Sequence, residues 1–430
     1  MAQARTRPRV VIIGAGFAGL NAAKALAAAQ VQVTITDKKN HHTFQPLLYQ
    51  VALAVLSPAE IATPVRTVLR RAANTHVLLG EVKGIDAERR LVQLEDASLN
   101  YDYLIVAAGA THAYFGHPEW ARVAPGLKTI EDAIEIRRRV LLAFEMAERE
   151  AIASQVKLDL NFVVIGAGPT GVELAGAIAD ISQRYMERDF RAIDPARARI
   201  LLLEGGPRVL PAYPPDLSAS AEKQLREMGV EVRTNAMVTN VGRDSVTVGN
   251  EKIPATVVLW GAGVSASPLG KMLGAPTDKA GRVLVEPDLT VPGHPEVFIA
   301  GDLAAVRMES GTFVPGVAPA AIQMGKFAAR QIRRSLEGQP SEAFHYVDKG
   351  SLATVGRSKA VADLGRLHFS GYFAWLAWLF VHLLFLIGFR NRIMVMMEWA
   401  WAYVTYNQGA RLITETAHEA AEEQPRARAG

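Results

Sequence analysis

From Arg9 the chain runs through Val10, Val11 and Ile12 to Ile13, turns through GAGFAG at Gly14–Gly19, and enters an alanine-rich stretch from Leu20 to Ala29. A second apolar run, Val31 to Thr36, ends on Asp37. Short β-branched runs bounded by glycine predict buried strands, and small apolar residues at helical spacing predict the helix that covers them. The same order returns at Phe162 to Ile165, GAGPTG at Gly166–Gly171, a helix from Val172, and Ile200 to Leu203 ending on Glu204. Two separate nucleotide-binding units are therefore expected. Val257 to Trp260 and Val297 to Ala300 are each closed by glycine, as in a parallel sheet whose strands feed a ligand crevice. Glu131 to Glu150 is a charged helix with Ile134, Leu141 and Phe144 as apolar positions, a linker or an outer layer. Ile181 to Arg199 is so highly charged that it reads as an exposed extension, and the tail from His418 to Gly430 is polar enough to be disordered.

A glycine fingerprint works at a strand-to-helix turn for steric reasons. Gly14 permits the tight turn, Gly16 lets a pyrophosphate approach the backbone, and Gly19 lets helix and strand pack closely. The helix N-terminus then faces the phosphates. Asp37 lies 18 residues after Gly19, where a ribose-binding acid is wanted, although an aspartate there also makes a plain turn. Gly166, Gly168 and Gly171 repeat the arrangement. Glu204 comes 33 residues after Gly171, a spacing that a longer helix and connection accommodate. A carboxylate at Glu204 favours the free 2′-hydroxyl of NADH and repels the 2′-phosphate of NADPH, while Arg208 pulls the other way. Glu173, in the first turn of its helix, is either an acid set well against the helix dipole or a carboxylate near nicotinamide and flavin.

Composition removes several classes. The chain has 430 residues, 50% of them hydrophobic and 21% charged, enough for two or three folded cores. A net charge of +4 without an arginine-rich run argues against nucleic acid, and no metal-ligand spacing is present. There is no cysteine, which excludes disulfides, thiolate metal sites, iron–sulfur clusters and any redox-active cysteine pair. The strand begins so soon after Met1 that no signal or transit peptide is expected.

Two dinucleotide motifs in one chain, with AAGA at Ala107–Ala110 and IAGD at Ile299–Asp302, resemble the two-dinucleotide-binding flavoprotein oxidoreductases. Without a cysteine pair, the disulfide reductases, thiol peroxidases and sulfide:quinone reductases drop out. What remains resembles the type II NADH dehydrogenases, single-subunit NADH:quinone oxidoreductases that pump no protons. The marks are NHHTFQPLLYQVA (Asn40–Ala52), GAGPTGVELAG (Gly166–Gly176), LLLEGGPRVLP (Leu201–Pro211), WGAGV (Trp260–Val264) and VPGVAPAAIQMG (Val314–Gly325). Without that likeness, Asn40–Ala52 reads only as a buried hairpin over a cofactor.

The resemblance implies an α/β fold of two Rossmann-like domains, one for FAD and one for NADH, followed by a C-terminal amphipathic helical region that anchors to membrane. The implied FAD domain is discontinuous, residues 1–125 and 290–345, with the NADH domain and linker helix inserted at 126–289. Residues 346–416 form the membrane-associated region and 417–430 the tail. FAD falls to Gly14, Gly16, Gly19, Asp37, Gly109 and Asp302, although Asp302 also suits the start of a helix. NADH falls to Gly166, Gly168, Gly171, Glu204 and Gly261, with Glu173 and Gln323 as the catalytic pair. The helix after Pro319 would aim its N-terminus at the flavin pyrimidine. The family's quinone site carries AQxAxQ; here Ala318–Gln323 reads APAAIQ, so Pro319 stands at the first glutamine and Gln323 keeps the second.

Gly371 to Phe389 is apolar over 19 residues, with His382 as its only ionisable side chain besides Tyr372. That is barely enough to cross a hydrocarbon core of about 30 Å. A single span, a pair of interfacial helices and a buried homodimer contact all remain open. Flanking Arg390 and Arg392, with Trp375, Trp378, Trp399 and Trp401, suit the lipid interface. The expectation is a monotopic enzyme on the cytoplasmic face of the cell inner membrane, taking NADH and a membrane quinone. Two rivals remain. One is a flavin reductase serving oxygen or a soluble carrier; the other is a non-catalytic NADH-sensing flavoprotein.

Overall fold

The computed structural model describes residues 7–155, 158–186, 189–405 and 409–413. The tail expected to be disordered lies outside the described residues. The chain forms two compact units, each assembled from three separated stretches: residues 1–43, 62–112 and 264–349 in the first, and 44–61, 113–263 and 350–430 in the second.

The first unit is built on a six-stranded sheet in the order Thr290–Val291, His294–Ile299, Tyr103–Val106, Arg9–Ile13, Gln32–Asp37, Thr75–Leu79. All neighbours are parallel except the edge pair Thr290–Val291 with His294–Ile299. Val10, Ile12, Leu104, Ile105, Val297 and Ile299 are fully buried, as strands covered on both faces require. The helices Phe17–Leu26 and Ala318–Leu336 pack closely because Gly325 has no side chain. A Cβ there would stand 2.1 Å from the Ala18 carbonyl oxygen.

The second unit repeats the scheme with four parallel strands, Val230–Arg233, Arg199–Leu203, Asn161–Ile165 and Val257–Trp260. The linker helix spans Ile130–Ser154 and starts on a capping box in which Thr129 and Asp132 exchange side-chain and backbone bonds. A three-stranded antiparallel sheet, Ser351–Gly356, Lys359–Asp363 and His368–Ser370, lies against the helix Pro169–Asp180. Gly176 permits that approach: its Cβ would fall 1.5 Å from the Val355 carbonyl oxygen.

Two expectations need correction. Asn40–Ala52 is not a hairpin: a short strand, His41–Thr43, leads into the helical turns Gln45–Leu47 and Leu48–Ala52, because Pro46 opens a turn and the apolar run behind it coils to bury every residue from Leu47 to Ala52. The charged stretch after Asp180 does not begin exposed. Ile181–Tyr185 continues the helix as a π turn, with Ile181, Ser182 and Met186 buried. For the apolar run Gly371 to Phe389, where a pair of helices is one of the open readings, the chain does form two helices. It breaks at Leu386–Gly388, where Gly388 takes φ 94°, leaving helices Tyr372–Phe385 and Phe389–Thr405. Among the described residues no helix is long and apolar enough to cross a membrane.

Candidate functional site

Both glycine turns sit where strand order reverses, the place at which open parallel sheets leave a crevice. In the first unit Arg9–Ile13 has Gln32–Asp37 on one side and Tyr103–Val106 on the other. Gly14 has φ 97° and would place a Cβ 2.4 Å from the Ala107 carbonyl oxygen; a Cβ at Gly19 would stand 1.9 Å from the Gly14 carbonyl oxygen. These two glycines answer to the packing of the turn. Gly16 does not: its φ is −69° and a Cβ there would meet nothing within 4 Å. A glycine that neither backbone nor packing demands, at the mouth of a helix N-terminus, fits a ligand that must touch the backbone.

The carboxylate of Asp37 accepts from the backbone N–H of Ala15 at 2.7 Å and of Lys39 at 2.8 Å, which fixes it beside the turn. A cleft of about 290 Å³ opens there between Ala15, Asp37 and Lys39 on one side and Val65, Val77 and Leu79 on the other. Leu79 is 66% exposed although it is apolar. Buried His42 holds the turn from below, its Nδ1 3.0 Å from the Ala15 carbonyl oxygen and its ring edge-on to Phe17. Burial is the main cause that lowers its pKa, so the ring is neutral and Nδ1 carries the donated proton. Gly109 turns at φ 68° after its strand, and half-buried Asp302 lies in the turn Gly301–Leu303 beside Gly316.

The second unit repeats this scheme of two packed glycines and one open one. Gly166, at φ 92°, would push a Cβ to 2.5 Å from Ala262 Cα, and Gly171 would meet the Gly166 carbonyl oxygen at 1.7 Å. Gly168, with φ −69°, again meets nothing within 4 Å. Glu204 accepts from the N–H of Ala167 and of Gly206, both at 2.7 Å. Arg208 is held elsewhere: Nη1 donates to the Tyr213 carbonyl at 2.9 Å and Nη2 to the Pro211 carbonyl at 2.8 Å. Gly261 lies at the reversal point, where a Cβ would stand 3.0 Å from Gly171 Cα.

One face of the helix that starts at Gly168 carries Glu173, Ala177 and Asp180, and with Tyr185 from the π turn they line a cleft of about 660 Å³. Tyr49, Trp375, Leu379, Trp399 and Tyr403 supply its aromatic and aliphatic walls. Glu173 keeps some surface open to the cleft, yet enough chain surrounds its carboxyl that loss of water pushes its pKa well above the ordinary carboxylate range. Burial also raises Asp180, against the 2.7 Å hydrogen bond it accepts from the Arg357 N–H. The Tyr49 phenol is pushed up by burial first and by the Glu173 charge second.

Gln323 lies on the helix Ala318–Leu336. Its amide makes two bonds to one backbone unit in the first unit, donating to the Val347 carbonyl at 2.9 Å and accepting from the Val347 N–H at 3.0 Å. Tyr49 and Gln50 belong to a stretch that the sequence marked as distinctive, but the signal for a role, a buried tyrosine and glutamine side by side, needs the fold to be read.

Residues 8–325 match the family described as pyridine nucleotide-disulphide oxidoreductase, and residues 349–405 match the NDH2 C-terminal domain. The chain is 48% identical over 426 residues to the type II NADH:quinone oxidoreductase NdhA of Mycobacterium tuberculosis, covering 95% of this chain and 90% of the relative. The chain belongs to the type II NADH:quinone oxidoreductases. It is 46% identical over 430 residues to a second mycobacterial member, Ndh, covering 96% of this chain and 92% of that one. The fold of NDH2 from Plasmodium falciparum, solved in complex with NADH, superposes with a TM-score of 0.84 at 20% identity, covering 95% of this chain and all of that one. The disulphide chemistry in the broader family's description has no counterpart here, since this type II chain holds no cysteine.

Proposed function

We propose that the first unit holds FAD on Gly14, Gly16, Gly19, Asp37, Gly109 and Asp302, that the second holds NADH on Gly166, Gly168, Gly171, Glu204 and Gly261, and that the acceptor is a quinone. The reaction is that of the family: oxidation of NADH with the electrons passed through FAD to a quinone, without proton pumping. FAD supplies the redox chemistry when bound, taking a hydride and returning two electrons.

The observation that carries the cofactor assignment is the pair Gly16 and Gly168, glycines that packing does not require at two turns otherwise alike. Asp37 and Glu204, each locked by two backbone N–H groups, offer their remaining lone pairs to ribose hydroxyls. With Arg208 bound to carbonyls, nothing among these groups balances a 2′-phosphate, so the second turn suits NADH over NADPH. The helix dipoles at Gly16 and Gly168 bear on the pyrophosphates.

The quinone headgroup is assigned to the cleft of Glu173, Tyr49 and Tyr185, where aromatic walls suit a flat ring and where burial strengthens the Glu173 carboxyl's hold on a proton that it can supply. Gln323 stays a second candidate, which would have to exchange Val347 for a quinone carbonyl. Unchanged quinone affinity and rate in Gln323→Ala would remove it.

The two C-terminal helices supply the lipid contact in this reading. Tyr372, Leu376, Phe380 and Leu384 recur every four residues on the exposed face of the first helix, while Ala374 and Trp378 are buried on its other side. Phe389, Met397 and Val404 extend the exposed apolar surface on the second helix, with Arg390 and Arg392 at its start. Apolar faces of this kind, rimmed by arginine, lie on anionic bilayers. The bilayer is the cytoplasmic face of the inner membrane, where NADH is available; a homodimer through the same face would compete with lipid. The test of function is steady-state NADH oxidation by the detergent-purified protein with a short-chain quinone. Turnover with oxygen or a soluble carrier but not with quinone would refute the acceptor assignment.

A further inference from the structure

A chain of hydrogen bonds runs from the second C-terminal helix into the cleft. The Trp399 indole Nε1 donates to Gln50 Oε1 at 2.7 Å, and Gln50 Nε2 donates to the Tyr49 hydroxyl at 2.9 Å. Gln50 and Tyr49 are both buried. An amide can ordinarily be turned over without changing its shape, so its donor and acceptor ends are ambiguous. The indole removes that ambiguity, because it has a donor and no acceptor. Gln50 must present its oxygen to Trp399 and its N–H to Tyr49.

The consequence falls on Tyr49. Its oxygen receives a hydrogen bond from Gln50, so its own proton must go elsewhere. The Thr354 hydroxyl, which lines the same cleft and interacts with the phenol, is placed to take it. Thr354 has one proton, and the Gly356 and Lys359 carbonyls lie 3.4 and 3.3 Å from its oxygen to take it. The Tyr49 proton is thus aimed at the cleft wall, where a ligand oxygen can replace Thr354 as its acceptor. The ring itself is held by Trp378, edge-on at 6.2 Å between centroids.

We propose that Tyr49 is a catalytic proton donor to the quinone, and that Gln50 and Trp399 are positioning residues that orient its hydroxyl. The proposal rests on the reading that a quinone enters this cleft. As the quinone takes two electrons, one of its oxygens takes the Tyr49 proton and the O–H bond of the phenol breaks. Glu173, lining the same cleft, returns a proton to the phenolate and is itself reprotonated from water. The other quinone oxygen takes its proton from water, so two electrons and two protons complete the quinol.

The experiment mixes wild type, Tyr49→Phe and Trp399→Phe anaerobically with NADH, then with a short-chain quinone, in light and heavy water. Bleaching of the flavin by NADH shows that each variant is folded and loaded. Recovery of the flavin absorbance on adding quinone is expected to slow on the order of 10²-fold in Tyr49→Phe, with a larger solvent isotope effect than wild type. In Trp399→Phe an aromatic ring stays against Trp378, while the indole N–H is lost together with the second ring. Recovery there should slow by roughly fivefold, with kcat lowered and the quinone KM unchanged. Wild-type recovery rates and isotope effects in both variants would overturn the proposal. If wild type itself were not reoxidised by quinone, the acceptor assignment would fall instead.

Discussion

The cofactor preference rests on Glu204, and its replacement by alanine is the sharpest way to test it. The carboxylate sits beside the second glycine turn with both oxygens fixed, at 2.7 Å from the N–H of Ala167 and of Gly206. A 2′-phosphate brought to the ribose position carries a charge of roughly −1.5. At about 5 Å from the carboxylate, in a dielectric between protein surface and water, the repulsion is about 2 to 3 kcal/mol. NADH would lose one charge-assisted hydrogen bond in the variant, about 1.5 kcal/mol. Together, at about 3.5 to 4.5 kcal/mol, the ratio of kcat/KM for NADH over NADPH should fall roughly 400- to 2,000-fold in Glu204→Ala. Because Glu204 is half-buried, water can replace it at the two N–H groups, so the fold should survive. The assay is flavin bleaching at graded NADH and NADPH concentrations. Arg208→Ala is the control and should leave NADPH use unchanged, since its guanidinium is committed to the Tyr213 and Pro211 carbonyls. A shift of less than about threefold in Glu204→Ala, or a large one in Arg208→Ala, would refute the reasoning.

Gly176→Val places a side chain into the Val355 carbonyl, 1.5 Å from where the Cβ would fall, and should destabilise the second unit by roughly 3 kcal/mol or more, read as a lower Tm. Glu173 has a raised pKa in the fold, so between its unfolded and folded values the native state binds more protons and stability falls as pH rises. Glu173→Gln removes that dependence; its Tm relative to wild type should climb from about pH 5 upward, and a difference flat with pH would contradict the burial argument. Replacing Phe373, Phe380 and Phe389 together with serine should lower flotation with anionic vesicles by at least about tenfold while NADH still bleaches the flavin, because these residues are 75%, 64% and 79% exposed.

What the sequence made legible was what local chemistry dictates. The strands from Arg9, Phe162 and Val257 and the glycine turns are short-range features, and the structure finds them within a residue or two of the expected bounds. The reason for AAGA and WGAGV was not legible, because it lies in strand order: Ala107 and Ala262 matter as the surfaces that Gly14 and Gly166 must approach. The helix break at Gly388 was hidden inside a uniformly apolar run, where hydropathy carries no phase. Tyr49, Gln50 and Trp399 were invisible as a group, since a hydrogen bond between residues 349 positions apart leaves no periodic trace. The bonds that Gln323 makes to the Val347 backbone, 24 positions away, were likewise not legible.

The central claim is that electrons from NADH leave through FAD to a quinone, and anaerobic two-step mixing tests it most directly. NADH added to the purified oxidised protein should bleach the flavin absorbance at once, and a short-chain quinone added next should restore it equally fast. Bleaching that only oxygen or a soluble carrier reverses would contradict the account.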